Sequence, residues 1–185
     1  MVITCGLPAT CKTGLAGIAV KSKGYHLLRS DILRLEIFCR EDVFKEEIAS
    51  SMDKRAMVYD EMFRRADNLL DNPDSGVLLD ATFITQALRR QAAEIAARHR
   101  RTFVILETKC KEDIAIGRVL KRTKDNYESN ALTEQAYRNN KQAWEAVDTA
   151  AIGQACPGLR IIHALVETSL DFPQNWYVTM ADKPK

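Results

Sequence analysis

Eight residues constrain this chain more than any other feature: Gly6-Leu7-Pro8-Ala9-Thr10-Cys11-Lys12-Thr13. A short apolar run, Met1-Val2-Ile3-Thr4-Cys5, precedes them, and a helical stretch, Gly14-Leu15-Ala16-Gly17-Ile18-Ala19-Val20, follows at once. Strand, small-residue loop, Lys-Thr and helix in that order are what a phosphate-cradling loop (P-loop, Walker A) requires. The backbone from Gly6 through Pro8, Ala9, Thr10 and Cys11 curls round an anion, every residue but Pro8 offering an N–H, and the helix start adds its positive dipole end. Lys12 then reaches the outer phosphates and the Thr13 hydroxyl ligates Mg²⁺. The pattern normally has Gly directly before the Lys, where Cys11 stands, and Ala9 is a milder departure. Strain at Cys11 of about 1–2 kcal/mol is the expected consequence, with either tolerated or lost binding. The plainer alternative is an ordinary strand–turn–helix carrying an accidental Lys-Thr. Nucleotide binding is the expectation because all four parts arrive in register.

Length and charge limit what surrounds that loop. At 185 residues, 46% of them hydrophobic, the chain suits one domain with a core that needs no staples. A net charge of +2, from 27 basic and 25 acidic side chains, is too balanced to imply a nucleic-acid or membrane surface. The five cysteines are scattered and lack CxxC spacing, as reduced cytosolic thiols would be. No apolar run is long enough to span a bilayer and no leader precedes the first strand, so the expected location is the cytoplasm.

Along the chain, strands and helices alternate. Gly24 suits a helix C-cap, and Tyr25 to Arg29 reads as a second strand ending at Ser30-Asp31. Helical spacing follows over 32–48, with a break near Asp42, and again over 52–70. Val77-Leu78-Leu79-Asp80 reads as a buried strand with a carboxylate at its end, and Thr85 caps a helix to His99. A strand over 102–107, a helix over 111–122, a polar loop over 123–130, a helix over 132–147 and a last strand over 159–164 complete the pattern. The tail from Phe172 shows no periodicity. The reading is a three-layer α/β/α fold with a mostly parallel central sheet of about five strands. Ligands in such sheets sit beyond the strand carboxyl ends, which brings the loop, Ser30-Asp31 and Asp80 to one edge.

Three groups at those ends carry candidate chemistry. Asp31 is either a plain helix cap or the base that takes the proton of an attacking hydroxyl. Arg34, three residues on, shares its helix face and either holds an acceptor's anionic group or orients Asp31. Asp80, followed by Ala81-Thr82, either holds water on Mg²⁺, anchors the acceptor, or simply ends a strand. Arg118 and Arg122 share a helix face before the polar loop, as arginines of a phosphate-covering lid would, although arginines on a solvated face are common. A thiol at Cys11, beside Lys12 and a helix start, is expected to have a lowered pKa and raised reactivity; the alternative is a merely tolerated small side chain.

Gly6-Leu7-Pro8 to Lys12-Thr13, Arg29-Ser30-Asp31-Ile32-Leu33-Arg34, Leu79-Asp80-Ala81-Thr82-Phe83 with Arg89-Arg90, and Arg118 to Arg122 together resemble small P-loop kinases of the AAA-type ATPase group. These look like the kinase domain of polynucleotide 5′-kinase and, more distantly, chloramphenicol phosphotransferase, zeta toxins and gluconate kinase. The resemblance covers roughly residues 1–150. It implies a P-loop NTPase fold, ATP and Mg²⁺ as cofactors, Lys12 and Thr13 on the β/γ-phosphates and metal, and Asp31 as general base. It also implies acceptor contacts from Arg34, Asp80 and Thr82, lid arginines at Arg118 and Arg122 with a lid around 118–130, and Arg89 and Arg90 near the adenine or lid side. The expected activity is transfer of the γ-phosphoryl group of ATP to a hydroxyl of a small molecule or a polynucleotide 5′ end. The second class is a nucleotide-binding regulatory or assembly module whose loop is weakened at Cys11. A mechanical ATPase fits less well, because Asp80 lacks a following acidic residue to polarise water.

Overall fold

The computed structural model describes residues 1–38, 52–123, 129 and 131–183. The helix expected over 32–48 already ends at Ile37, where Phe38 is extended (φ −118°, ψ 141°); residues 39–48 with the expected break near Asp42, the thiol of Cys39 and most of the 123–130 loop lie outside the described residues.

Six strands form one sheet: β1 (Val2–Cys5), β2 (His26–Arg29), β3 (Val77–Asp80), β4 (Phe103–Lys109), β5 (Ile161–Glu167) and β6 (Tyr177–Asp182). Their order is β2-β3-β1-β4-β5-β6, parallel throughout except for β6, which runs antiparallel on β5. Seven helices connect them among the described residues: α1 (Lys12–Lys23), α2 (Ser30–Ile37), α3 (Met52–Leu70), α4 (Gln86–Arg98), α5 (Glu112–Leu120), α6 (Glu134–Gln142) and α7 (Thr149–Ala155). A 3₁₀ turn, Pro173–Asn175, lies between β5 and β6.

Strand register explains the two layers of core. Ile3, Leu79 and Ile105 are paired across β1, β3 and β4 and therefore share a face. They pack with Val58, Tyr59, Met62 and Ala66 of α3, Ala92 and Ala96 of α4 and Ile152 of α7. Val2, Leu78 and Val104, one residue out of phase, face the other way, where Ala16, Ala19 and Val20 of α1 cover them. Apolar residues on both faces make these strands the near-continuous hydrophobic runs of a doubly covered parallel sheet. Among the described residues no helix is long and apolar enough to cross a membrane.

Two further parts of the chain depart from the sequence reading. The expected single helix over 132–147 ends at Gln142, and α7 starts at Thr149. Between them the backbone bonds elsewhere: Glu145 N–H donates to the Ile84 carbonyl (3.0 Å), and the carbonyls of Glu145 and Ala146 accept from Arg89. The Asp148 carboxylate then caps α7 by accepting from Ala151 N–H (2.9 Å). The tail is not irregular, since it supplies β6, a sixth strand in place of about five. All six β6 residues are exposed, so its side chains show no inside–outside alternation to read.

Candidate functional site

The crossovers run from β1 over β3 to β2 and from β3 over β1 to β4, so the chain reverses direction around β1. The loop after β1 lies at that reversal, where open parallel sheets hold ligands.

Its shape is set residue by residue. Gly6 (φ 143°) donates its N–H to the Thr82 carbonyl (3.1 Å), and a Cβ there would stand 2.6 Å from the Thr108 carbonyl oxygen. Only glycine fits. Ala9 (φ 61°) and Cys11 (φ 59°, ψ 25°) are both left-handed. Left-handed residues set into such a turn bend successive N–H groups toward one centre, the backbone concavity that holds anions. Each non-glycine residue in that region costs on the order of 1 kcal/mol, which is the structural meaning of the glycine preference at position 11. The loop is also fastened from beneath. Thr10 Oγ1 donates to the Leu7 carbonyl (2.8 Å) and shares a 2.6 Å hydrogen bond with Thr108 Oγ1. Thr168 Oγ1 faces the Thr10 and Lys109 carbonyls at 3.1 and 2.9 Å.

Lys12 opens α1, and its ammonium donates to the Leu7 carbonyl across the loop (2.7 Å). Burial lowers its pKa, while the negative charges of Asp80 and Asp31 act in the opposite sense. Both carboxylates thus lie within electrostatic reach of one lysine. Asp80 is buried and accepts from Thr4 Oγ1 (2.8 Å) and from Thr13 Oγ1 (2.6 Å), with Arg29 Nε at 3.7 Å. A hydroxyl and a carboxylate held together at a helix start are hard oxygen donors of the kind Mg²⁺ takes, so the side chains present fit that ion.

Asp31 is not a helix cap. Position Arg29 caps α2 with no side-chain bond, and Asp31 lies in the first turn, where Arg34 Nη1 donates to its Oδ1 (2.9 Å). Thr82, two residues past Asp80, has its hydroxyl 3.4 Å from the Tyr59 hydroxyl, which also accepts from Phe83 N–H (3.0 Å). Pro8 sits in the turn of the loop, buried. Arg122 Nη1 donates to Ser129 Oγ (3.3 Å) and the Ala131 carbonyl (3.1 Å), and its charge reaches Lys12 and Cys11.

Arg118 is committed differently from a free lid arginine. It donates to the carbonyls of Thr168 (2.9 Å), Ser169 (3.2 Å) and Leu170 (3.3 Å), and lies 3.4 Å from Asp171 Oδ1. Its Nη1 also contacts Cys11 Sγ and Cys110 Sγ at 3.3 and 3.4 Å. The guanidinium therefore ties α5 and the loop to the connection after β5. Arg89 is fully buried, bonds the carbonyls of Ile84, Glu145 and Ala146, and stacks 4.6 Å from the Trp144 ring centre. Arg90 is on the surface, 3.4 Å from Glu94.

The thiol of Cys11 departs from expectation. Burial raises its pKa, outweighing the lowering by Arg118 and Lys12. Its alkylation by iodoacetamide at neutral pH is therefore slow, and the rate still climbs above pH 9, because only the thiolate reacts. Peptide mass mapping of alkylated protein from pH 7 to 10 checks this; a rate already level by pH 8 would mean a lowered pKa after all.

A family model described as AAA domain (AAA_33) matches residues 1–147. The chain belongs to this AAA domain family of P-loop kinase-like proteins. No curated protein sequence matches significantly. Among solved structures, a gluconokinase from Sinorhizobium meliloti 1021 superposes with TM-score 0.62 at 15% identity, over 91% of this chain and 82% of that one. Chaetomium thermophilum Kti12 in complex with ADP-AlF3 gives 0.64 at 17% identity, over 92% and 89%. A sugar kinase from Janibacter sp. HTCC2649 gives 0.61 at 13% identity, over 89% and 83%. These likenesses are of fold, and they agree with the mostly parallel sheet flanked by helices. The family match stops before β5 and β6, so Thr168 and the connection held by Arg118 lie beyond it. Sequence reading missed Thr108, Thr168 and Tyr59. The two threonines each follow a glutamate, Glu107 and Glu167, at the end of an apolar strand run, and that position was their only signal.

Proposed function

We propose that the protein is an ATP-dependent kinase that transfers the γ-phosphoryl group to a hydroxyl of a small molecule or a polynucleotide 5′ end. The observation that carries this reading is the Thr13–Asp80 hydrogen bond at the end of the curled loop, with Asp31 and Lys12 beside it at the same sheet edge. The backbone from Gly6 to Thr13 binds the phosphates, and Lys12 balances charge on the outer two. Thr13 and Asp80 would hold Mg²⁺, which when bound supplies positive charge to the phosphate oxygens. Asp31, oriented by Arg34, takes the acceptor's proton, and Arg34 and Thr82 lie where an acceptor would be held. Arg122 faces the charge that develops on the transferring group, and Arg118 keeps the loop's far side in place.

Cys11 supports a second reading, a nucleotide-binding module without turnover, because its left-handed backbone strains the cradle. Two measurements separate them. ATP·Mg²⁺ at 100 times its Kd stabilises the fold by about 2.7 kcal/mol if the loop binds nucleotide. ATP consumption with and without a panel of alcohols, sugars and 5′-hydroxyl oligonucleotides then distinguishes kinase from module. Cys11→Gly relieves the strain and is expected to tighten ATP binding by about fivefold, following from ~1 kcal/mol of backbone relief. Binding without consumption in both wild type and Cys11→Gly, across the panel, selects the module. No stabilisation by ATP in either form ends both readings.

A further inference from the structure

Two cysteines meet at the edge of the phosphate loop. Cys11 holds the cap position before α1, and Cys110 directly follows β4. Both are half-buried, whereas Cys5 and Cys156 are buried. One nitrogen serves both sulfurs: Arg118 Nη1 stands 3.3 Å from Cys11 Sγ and 3.4 Å from Cys110 Sγ. The sulfurs are therefore no farther apart than those two legs laid end to end. The chain before each cysteine is held as well. Thr168 Oγ1 lies 3.1 Å from the Thr10 carbonyl and 2.9 Å from the Lys109 carbonyl, the peptide groups that lead into Cys11 and Cys110.

Two clamps, one on the sulfurs and one on the chain before them, keep the thiols opposed. Joining them brings sulfur to sulfur at about 2.05 Å. A cysteine has one side-chain rotor, so part of that approach falls on the backbone. The Cys110 side is anchored, because the Lys109 carbonyl accepts from the Thr168 N–H (2.8 Å) as well as facing its hydroxyl. Cys11, left-handed at φ 59°, is the strained member of the pair and the one that moves. Drawing it toward β4 turns its own N–H, and that of Lys12 after it, away from the centre of the cradle. Burial raises the pKa of both thiols; the Arg118 charge opposes this at both, and a hydrogen bond with Ser169 opposes it at Cys110. Exchange at neutral pH is therefore slow, and the finished bond resists reduction, since a thiol of high pKa is a poor leaving group.

We propose that Cys11 and Cys110 form a reversible disulfide that switches the phosphate loop off. The inference rests on the reading that this loop binds ATP. The oxidant is a low-molecular-weight disulfide such as glutathione disulfide. The Cys110 thiolate attacks one of its sulfurs, forming a mixed disulfide and releasing one reagent thiol. Cys11, having given up its proton, attacks the Cys110 sulfur of that mixed disulfide and releases the second reagent thiol. Two protein thiols thus lose two protons and two electrons, and the reagent disulfide takes them up as two thiols. A glycine before the lysine, as the motif normally has, offers no such chemistry. ATP in the cradle opposes the bond to the same degree that the bond opposes ATP.

Equilibration of the full chain with glutathione disulfide, followed by mass mapping and by calorimetric titration with ATP·Mg²⁺, tests it. Mapping is expected to find a Cys11–Cys110 cross-link, with fragment ions separating Cys11 from Cys5 on the same tryptic peptide. Cross-linked protein is expected to bind ATP about 10- to 100-fold more weakly, the range for losing one hydrogen-bond donor to a charged group, and dithiothreitol to restore the affinity. Cys110→Ala is expected to match reduced wild type within about twofold, before and after the same treatment. Absence of the cross-link in wild type overturns the proposal. So does a cross-link that leaves ATP affinity unchanged, which would make the bond a brace and not a switch. An equal loss in treated Cys110→Ala overturns the pairing, because the reagent then acts on Cys11 alone. Reduced wild type that binds no ATP fails at the nucleotide reading and takes the switch with it, while a mapped cross-link still stands as a modification of this chain.

Discussion

Asp31→Asn lowers phosphoryl transfer by about 10²- to 10⁴-fold, the usual contribution of a positioned general base, and leaves ATP affinity nearly unchanged. The substitution keeps shape and the ability to accept from Arg34, whose Nη1 sits 2.9 Å from Asp31 Oδ1, but removes the basic oxygen. Asp31 is 28% exposed and is not used as a helix cap, so its loss leaves α2 intact. Rapid-quench turnover with the best acceptor, paired with ATP titration, reads the two quantities separately. Retention of full turnover would move the base elsewhere. Loss of ATP affinity in parallel with turnover would instead mean that Asp31 acts through the Lys12 charge it faces.

Arg89→Ala is expected to destabilise the fold by about 3–5 kcal/mol. The side chain is fully buried and donates to the carbonyls of Ala146 (3.1 Å) and Glu145 (2.7 Å), and to that of Ile84 (3.3 Å), which keeps the Glu145 N–H as a second donor. Each buried acceptor left without a donor costs roughly 1–3 kcal/mol, and the stack on Trp144 is lost as well. Against a typical domain stability of about 5–15 kcal/mol that is a large fraction. Arg90→Ala, one residue along on the surface, is expected to change stability by less than about 0.5 kcal/mol. Urea denaturation of the two variants makes the comparison. A loss under about 1 kcal/mol for Arg89→Ala would show that residues 143–148 are held by other contacts.

Those adjacent arginines illustrate what the sequence reveals and what it hides. Position in a motif drew attention to Arg89, but not to its bonds to the irregular segment between α6 and α7. Helical spacing over 132–147 extended past the true end of α6 for the same reason. A long-range acceptor, the Ile84 carbonyl, took the Glu145 N–H that a continuing helix would have used, and no local pattern records such a partner. The parallel strands were readable because both faces are covered, leaving unbroken apolar runs such as Val77–Leu79 with a polar end at Asp80. The edge strand β6, exposed on every residue, carried no such mark. In the site, the loop, Asp31 and Asp80 were legible because each falls at or just past the end of a strand, and Arg34 because it follows Asp31 by one helical turn. Distance in sequence concealed the rest: Thr10 meets Thr108, 98 residues away, and Thr168, 158 residues away.

That separation has a consequence for the portability of the motif. Thr108 shapes the turn from below through a hydroxyl–hydroxyl bond and Thr168 through a hydroxyl-to-carbonyl bond, so the information for its curvature is stored partly in β4 and just past β5. Residues 6–13 grafted onto a foreign sheet would carry the recognisable letters without the scaffold that bends them. In this chain a signature read as eight consecutive letters is, physically, a property of three distant segments.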